Sequence, residues 1–348
     1  MKAVVKTAPG PGNLAYMDFP DPEVRPGEVV IEVKATGICG TDMSLYAWAE
    51  SMVREYRPEP PLVMGHELAG VVAAVGAGVS GVRVGDRVTA NPSMYCGRCY
   101  YCRAGRPSIC DDRPMLGVRL HGCFARFVAV RRENVFPLPP EVPFETAAMT
   151  EVLCVSLHAL ERVPVAPGDT VAVVGPGPMG FLMLLGARAA GASRLVMVGL
   201  GSDRDRLHLA ASLGAFTLVG DEGDSGAAVR DLTRGLGADV VFECAGHPSG
   251  IVQALALVRK GGRIGVLGQG YAESAFNTAI LSYREVDLIG IRSYDPRVWH
   301  RSHDVLASGQ IPLERLVTHR LPLEEAARGI ELMKARAGLK ILFTPSWA

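Results

Sequence analysis

Four residues of this chain have the chemistry of a working metal centre. Cys39 lies in "GICGTD", His66 and Glu67 lie in "MGHELAG", and Glu151 lies in "TEVLCVSLHA". Thiolate, imidazole and carboxylate are all zinc ligands. A catalytic zinc takes about three protein ligands and keeps one position open for water or substrate. The set is therefore a candidate for Lewis-acid chemistry. Spacing alone does not prove it, because a lone histidine is more often structural and the acid beside it more often a surface group.

A second cluster is denser. "YCGRCYYCRAGRPSIC" places Cys96, Cys99, Cys102 and Cys110 in a C-x2-C-x2-C-x7-C pattern, half of the chain's 8 cysteines. Three roles compete: a closed structural zinc, a redox dithiol and a zinc knuckle on nucleic acid. Redox work ordinarily needs two cysteines rather than four. Lys plus Arg and Asp plus Glu both number 36, so no basic face is implied for nucleic acid. Four thiolates at tight spacing favour the closed tetrahedral zinc, with no open position for chemistry. Cys123, Cys154 and Cys244 read as small buried apolar residues. Two zincs per chain are expected, one catalytic and one structural.

The third constellation is Gly175-Pro176-Gly177-Pro178-Met179-Gly180, a G-x-G-x-x-G between an apolar strand "TVAVV" and a helical run. In that context Gly175 allows the tight turn, Gly177 lets the backbone approach a pyrophosphate, and Gly180 lets helix and strand pack closely. Gly175, Gly177, Pro178, Met179 and Gly180 are thus candidate dinucleotide contacts. An acid about 20 residues on would hold the ribose 2′-OH of NAD. The strand there ends in Gly199 instead, followed by Leu200-Gly201-Ser202-Asp203-Arg204-Asp205-Arg206. A missing acid removes the repulsion against a 2′-phosphate, and Ser202, Arg204 or Arg206 can bind one. Gly199, Ser202 and Arg204 therefore favour NADP over NAD. Alternatively Asp203 reaches back to the ribose, and Arg204 and Arg206 are a solvated helix start.

These groups need a scaffold. A length of 348 residues suggests two domains. Residues 1 to about 150 read as short alternating strands, among them "GEVVIEVKATGIC", "LAGVVAAVGAGV" and "FARFVAV", punctuated by Gly and Pro. From about 155, strands alternate with helices ("DTVAVVGPG", "RLVMVG", "ADVVFECAG", "RIGVLG"), which implies a parallel, doubly wound sheet. After about 290, the tail mixes an amphipathic helix with a last strand. Thr170 to Ala187 carries no charge, but Gly175 to Pro178 break it, so it reads as a buried strand–turn–helix rather than a membrane span. A soluble, cytoplasmic protein is expected, with no membrane or nucleic-acid partner.

The combination resembles the zinc-dependent medium-chain alcohol and polyol dehydrogenases along nearly the whole chain. The matching motifs are "CGTD" (39–42), "GHELAG" (65–70), "VGDRV" (84–88), the four-cysteine lobe, the Glu151 segment, "VVGPGPMG" (173–180), "ECAG" (243–246) and "LVTHRLPLEEA" (316–326). Glu151 makes it look like the sorbitol and threonine dehydrogenase branch, and "LYAWAESM" (45–52) looks especially like threonine dehydrogenases. The resemblance implies an α/β fold. A GroES-like β-barrel catalytic domain (1–154, completed by 290–348) would carry an inserted Rossmann domain (155–289), with the active site in the cleft.

It also implies roles. Cys39 and His66 would bind zinc directly, Glu67 and Glu151 would exchange as further partners, and Asp42 would orient His66. Thr41 would take the proton of a substrate hydroxyl while hydride passes to the nicotinamide. The histidine common a few residues later in that relay is absent from "CGTDMSLY", which leaves Ser44, cofactor ribose or water as substitutes. His121 and Val152 also depart from the family's usual residues. The substrate is expected to be a small secondary alcohol or its ketone: a polyol, a cyclitol or specifically L-threonine. A catalytically inactive cofactor-binding homologue is the bland alternative. Related proteins are commonly homotetramers, so a homo-oligomer, dimer or tetramer, is expected.

Overall fold

The structure, a computed structural model, describes residues 1–270 and 272–345. Residues 346–348, at the end of the segment expected to complete the first domain, lie outside the described residues. The chain divides into two compact units: Met1–Leu153 with Asp295–Ala348, and Cys154–Tyr294 between them.

Along the first segment run β1 (Lys2–Lys6), β2 (Leu14–Asp18), β3 (Glu28–Gly37), β4 (Leu62–Val63), β5 (Glu67–Val75), β6 (Arg87–Ala90), β7 (Phe127–Arg131) and β8 (Val135–Pro137). The inserted unit holds β9 (Thr170–Val174), β10 (Arg194–Gly199), β11 (Phe216–Val219), β12 (Ala238–Glu243), β13 (Val258–Val266) and β14 (Asp287–Gly290). Beyond it lie β15 (Val317–Leu321) and β16 (Lys340–Phe343).

The first unit is built on β3. Its alternating residues bury Val29, Ile31, Val33 and Ala35, the pattern of a strand with one face on the core. It pairs antiparallel with β5, β7 and β16. The full order is β15-β16-β3-β5-β6-β8, with β7 on β3, and a separate small sheet runs β2-β1-β4. The tail thus completes this unit, because β16 pairs Leu342 with Gly37 and Phe343 with Thr36. Ile31, Val33, Leu68, Phe124, Ile341 and Phe343 share its apolar core.

The inserted unit is a six-stranded parallel sheet in the order β11-β10-β9-β12-β13-β14. Numbered within the unit, that order is 3-2-1-4-5-6, the doubly wound arrangement with its reversal beside the first strand. β9 is buried at all five positions, as expected of a strand covered on both faces. The unit runs on past 289 to Tyr294, because β14 is a strand of its sheet. The uncharged stretch from Thr170 is β9, the glycine loop and the largely buried helix Pro178–Ala189. Among the described residues, no helix is long and apolar enough to cross a membrane.

Candidate active site and metal centres

Strand register assembles the first cluster. β3 and β5 pair so that Gly37 faces Glu67. Cys39 follows β3 by two residues and His66 precedes β5, so both reach the same spot. Ligand atoms of Cys39, His66 and Glu67 all lie within 4.8 Å of one another. Cys39 is half-buried, while His66 and Glu67 are fully buried.

Local structure then fixes each group. Cys39 is the N-cap of helix Gly40–Tyr46, and its backbone N–H donates to Asp42 Oδ2 at 2.9 Å. The other oxygen of Asp42 lies 3.5 Å from His66 Nδ1. One carboxylate therefore ties the helix start to the imidazole, the arrangement that orients metal-bound histidines. Burial alone would depress the His66 pKa, but the charges of Asp42 and Cys39 override it and hold the imidazole well above its ordinary value. Thr41 Oγ1 sits 3.8 Å from Cys39 Sγ. Ser44 donates to the carbonyl of Gly40 at 3.1 Å, so its hydroxyl is engaged within its own helix.

Lys340 was not foreseen. It is the single charged residue of the apolar run "KILF", and it is buried. Its ammonium donates to Glu67 Oε2, and to the carbonyl of Ile38 at 3.1 Å. Burial pulls its pKa down, but the Glu67 and Cys39 charges prevail and hold it up. Gly37 makes the pair sterically feasible, since a Cβ there would stand 2.1 Å from Glu67 Oε2. The only warning in the sequence was a lysine in an otherwise apolar strand.

Glu151 lies in the first turn of helix Thr150–Arg162 and is buried. It falls outside the 4.8 Å cluster among the described residues. Burial pushes its carboxyl up; His66, Lys340 and Arg113 act against this and Glu67 acts with it. Arg113, also unforeseen, donates to Tyr56 Oη at 3.1 Å and Ser93 Oγ at 3.4 Å. His121 is exposed; it accepts from Val63 N–H at 3.4 Å and stacks edge-on with Phe19. Val152 is buried.

The donor set fits zinc. Glu67 Oε1 is buried without a hydrogen-bond partner, although most buried polar atoms have one, while Asp42 Oδ1 and His66 Nδ1 face each other at 3.5 Å. A cluster that draws a proton onto a buried imidazole is also one that favours a cation.

The second cluster is local. Cys96, Cys99, Cys102 and Cys110 bring four free thiols within 4.8 Å of one another. Cys96 and Cys102 sulfurs are 4.0 Å apart, and those of Cys99 and Cys110 are 3.9 Å apart. A tetrahedron with Zn–S of about 2.3 Å has S···S edges of about 3.8 Å. Backbone N–H groups of Cys99, Cys102 and Cys96 point at the sulfurs of Cys96, Cys99 and Cys110, each at 3.4 Å. Backbone donors pull Cys96 down to about 6, whereas burial and the neighbouring thiols push Cys102 up to about 12. Four thiolates cannot crowd together without a cation to balance them.

The glycine loop fits a dinucleotide. Gly175 has φ +100°, which favours glycine, and a Cβ on Gly180 would stand 2.0 Å from Gly175 O. A Cβ on Gly177 would meet nothing within 4 Å, so the loop leaves open space where a pyrophosphate would come. Gly177 caps helix Pro178–Ala189 with no side-chain acceptor and no acid in the first turn. Its amide end is thereby left for an anion. Beyond β10, the buried Asp203 accepts from Leu200 N–H at 3.0 Å, and Arg204 pairs with Glu222.

Known proteins are similar to this chain in sequence and in fold. Residues 25–140 match the alcohol dehydrogenase GroES-like domain and 178–308 match the zinc-binding dehydrogenase family. The chain is 35% identical to a sorbitol dehydrogenase of Halalkalibacterium halodurans, over 99% of both chains. It is 36% identical to an L-threonine 3-dehydrogenase of Bacillus subtilis, again over 99% of each. A zinc-binding dehydrogenase from Sinorhizobium meliloti 1021, solved with NADP, superposes with a TM-score of 0.91 at 31% identity, covering 99% of each chain. Fold, motifs and relatives converge: the chain belongs to the zinc-dependent medium-chain alcohol and polyol dehydrogenases, and is an oxidoreductase of that type.

Proposed function

We propose that the chain oxidises a small secondary alcohol, or reduces the matching ketone, with zinc held by Cys39, His66 and Glu67 and with a nicotinamide dinucleotide on the Gly175–Gly180 loop. The observation that carries this reading is the convergence of Cys39, His66 and Glu67 within 4.8 Å. When bound, the metal supplies Lewis acidity to the substrate hydroxyl and the dinucleotide supplies the hydride acceptor. Asp42 orients His66. Lys340 neutralises one oxygen of Glu67 and leaves the other for the metal. Glu151 stands by as the exchanging partner. Thr41 takes the hydroxyl proton; with Ser44 turned to Gly40, the outward path runs through ribose or water.

A second, structural zinc in the Cys96–Cys110 lobe belongs to the same proposal, on the strength of its S···S spacing. For the cofactor, the NADP reading with Ser202 and Arg204 rests on the missing acid at Gly199, and the pairing of Arg204 with Glu222 weighs the other way. A threonine-type substrate is the second reading. It is favoured by the 36% identity to an L-threonine 3-dehydrogenase of Bacillus subtilis. A cytoplasmic homo-oligomer, dimer or tetramer, is supported by the family resemblance alone.

The test is metal analysis together with a panel of polyols, cyclitols and threonine, each run with NAD and NADP. Two zincs per chain and turnover of one substrate class are expected. One zinc, or full turnover by a folded Cys39→Ser variant, would overturn the reading.

A further inference from the structure

The loop beyond β10 explains its own missing acid, given the reading that Gly175–Gly180 hold a dinucleotide. In a doubly wound sheet the adenosine ribose lies past this strand end. A Cβ on Gly199 would stand 2.9 Å from Pro176 Cγ, 3.1 Å from Asp203 Cβ and 3.2 Å from Leu207 Cδ2. The strand end packs against the middle of the glycine loop, so a side chain there would force Pro176 to shift. Glycine at this position is a steric demand of Pro176 and carries no message about a 2′-phosphate.

Negative charge arrives instead from the neighbouring strand. β11 runs parallel to β10 with Val219 beside Gly199, and Gly220 N–H donates to Gly199 O at 2.7 Å. The next two residues are acids. Asp221 Oδ1 accepts from Gly201 N–H at 2.8 Å. Glu222 takes the Arg204 guanidinium, with Oε2 at 2.6 Å. A Cβ on Gly201 would stand 3.0 Å from Glu222 Oε1 and 3.7 Å from Asp221 Oδ2, so the two carboxylates flank the first turn after the strand. Arg204, one of the two arginines of the loop that would bind a 2′-phosphate, is already engaged by Glu222.

We infer that Asp221 and Glu222 determine dinucleotide specificity. They supply from β11 the negative charge that β10 cannot carry, Glu222 holds Arg204 away from a 2′-phosphate, and NAD is the preferred cofactor. Asp221 and Glu222 act by repulsion, the less visible half of specificity. The Arg204–Glu222 pair is half exposed, so salt screens it and its breaking is cheap. One substitution can then move the preference.

The experiment is calorimetric titration of the zinc-loaded chain with NAD, NADP and 2′,5′-ADP, for the unmodified protein, Glu222→Gln and Glu222→Gln/Arg204→Ala. The unmodified chain should bind NAD about tenfold more tightly than NADP. Glu222→Gln should shift the NADP-to-NAD ratio about tenfold toward NADP and tighten 2′,5′-ADP alike, the gain shrinking in high salt. Adding Arg204→Ala should cancel that gain. Tighter NADP than NAD in the unmodified chain, an unmoved ratio in Glu222→Gln, or weaker NADP binding because Glu222 was aligning Arg204 for the phosphate would each overturn the inference while leaving the dinucleotide site in place. Binding of neither dinucleotide would remove the site and the inference together.

Discussion

The chain carries two cysteine-bearing clusters of opposite design. In the lobe, four like thiols come from one short run, Cys96 to Cys110, and backbone N–H groups aim at the sulfurs. At the other cluster, a thiol from one stretch meets an imidazole and a carboxylate from another, and Asp42, Lys340 and Glu151 act on them. Like donors from one loop can only close around an ion. Unlike donors that need outside partners to hold their charge leave one side free for a reacting molecule. On the proposed assignment, the density of chemistry-bearing residues is a poor guide to where the chemistry happens.

The sharpest break would come from Cys39→Ser. Turnover should fall on the order of 1000-fold, the scale on which loss of a key electrostatic group registers. Zinc should drop from two to one per chain with the melting temperature nearly unchanged, and unaltered turnover would merge the two clusters into one class. Cys102→Ala should do the reverse. It should lose the other zinc and about 4 kcal/mol or more of stability, as metal-site losses do, while molecules that remain folded keep their rate. Chemical denaturation beside single-turnover kinetics would separate these effects, and lost turnover at full stability would reverse the assignment of the two sites.

Lys340→Met leaves Glu67 as an unpaired buried charge, so a loss of about 3–5 kcal/mol is expected. Catalytic zinc should bind about 10–100-fold more weakly, with recovery in Lys340→Arg. A variant as stable as the parent would show that the Lys340–Glu67 contact does not stabilise the fold. Asp42→Asn keeps the shape but weakens the hold on His66, and about tenfold weaker zinc binding at that site alone is expected. The smallest effect is graded. Zinc retention by the lobe of Cys39→Ser should decline as pH falls, because protons compete for thiolates whose pKa spans about 6 at Cys96 to about 12 at Cys102. Retention that ignores pH would argue that these thiols bind no metal.

What could be read from the sequence tracks how local each feature is. The lobe was legible because its four cysteines are neighbours along the chain. The parallel sheet was legible because each strand alternates with its own helix, and the G-x-G-x-x-G because strand, turn and helix are contiguous. Cys39, His66 and Glu67 could be named by type, yet only the β3–β5 register brings them together. Lys340 could not be found that way, since it stands 273 residues from the glutamate it neutralises. Ser44 was a reasonable relay by position, but the Gly40 carbonyl four residues back accepts its hydroxyl. Gly199 carried the subtlest ambiguity: an absent carboxylate reads identically whether selection for a phosphate or crowding by Pro176 removed it.

The pairing of β16 with β3 has a consequence for the order of events on the ribosome. Synthesis completes the entire Cys154–Tyr294 unit before it reaches Lys340. Until then Glu67 lacks its counter-charge, and the Thr36–Gly37 end of β3 has only β5 beside it. A nascent chain can therefore own a finished cofactor fold while its metal pocket is still electrically unbalanced. β16, made after that unit, brings the counter-charge back to a glutamate made long before it.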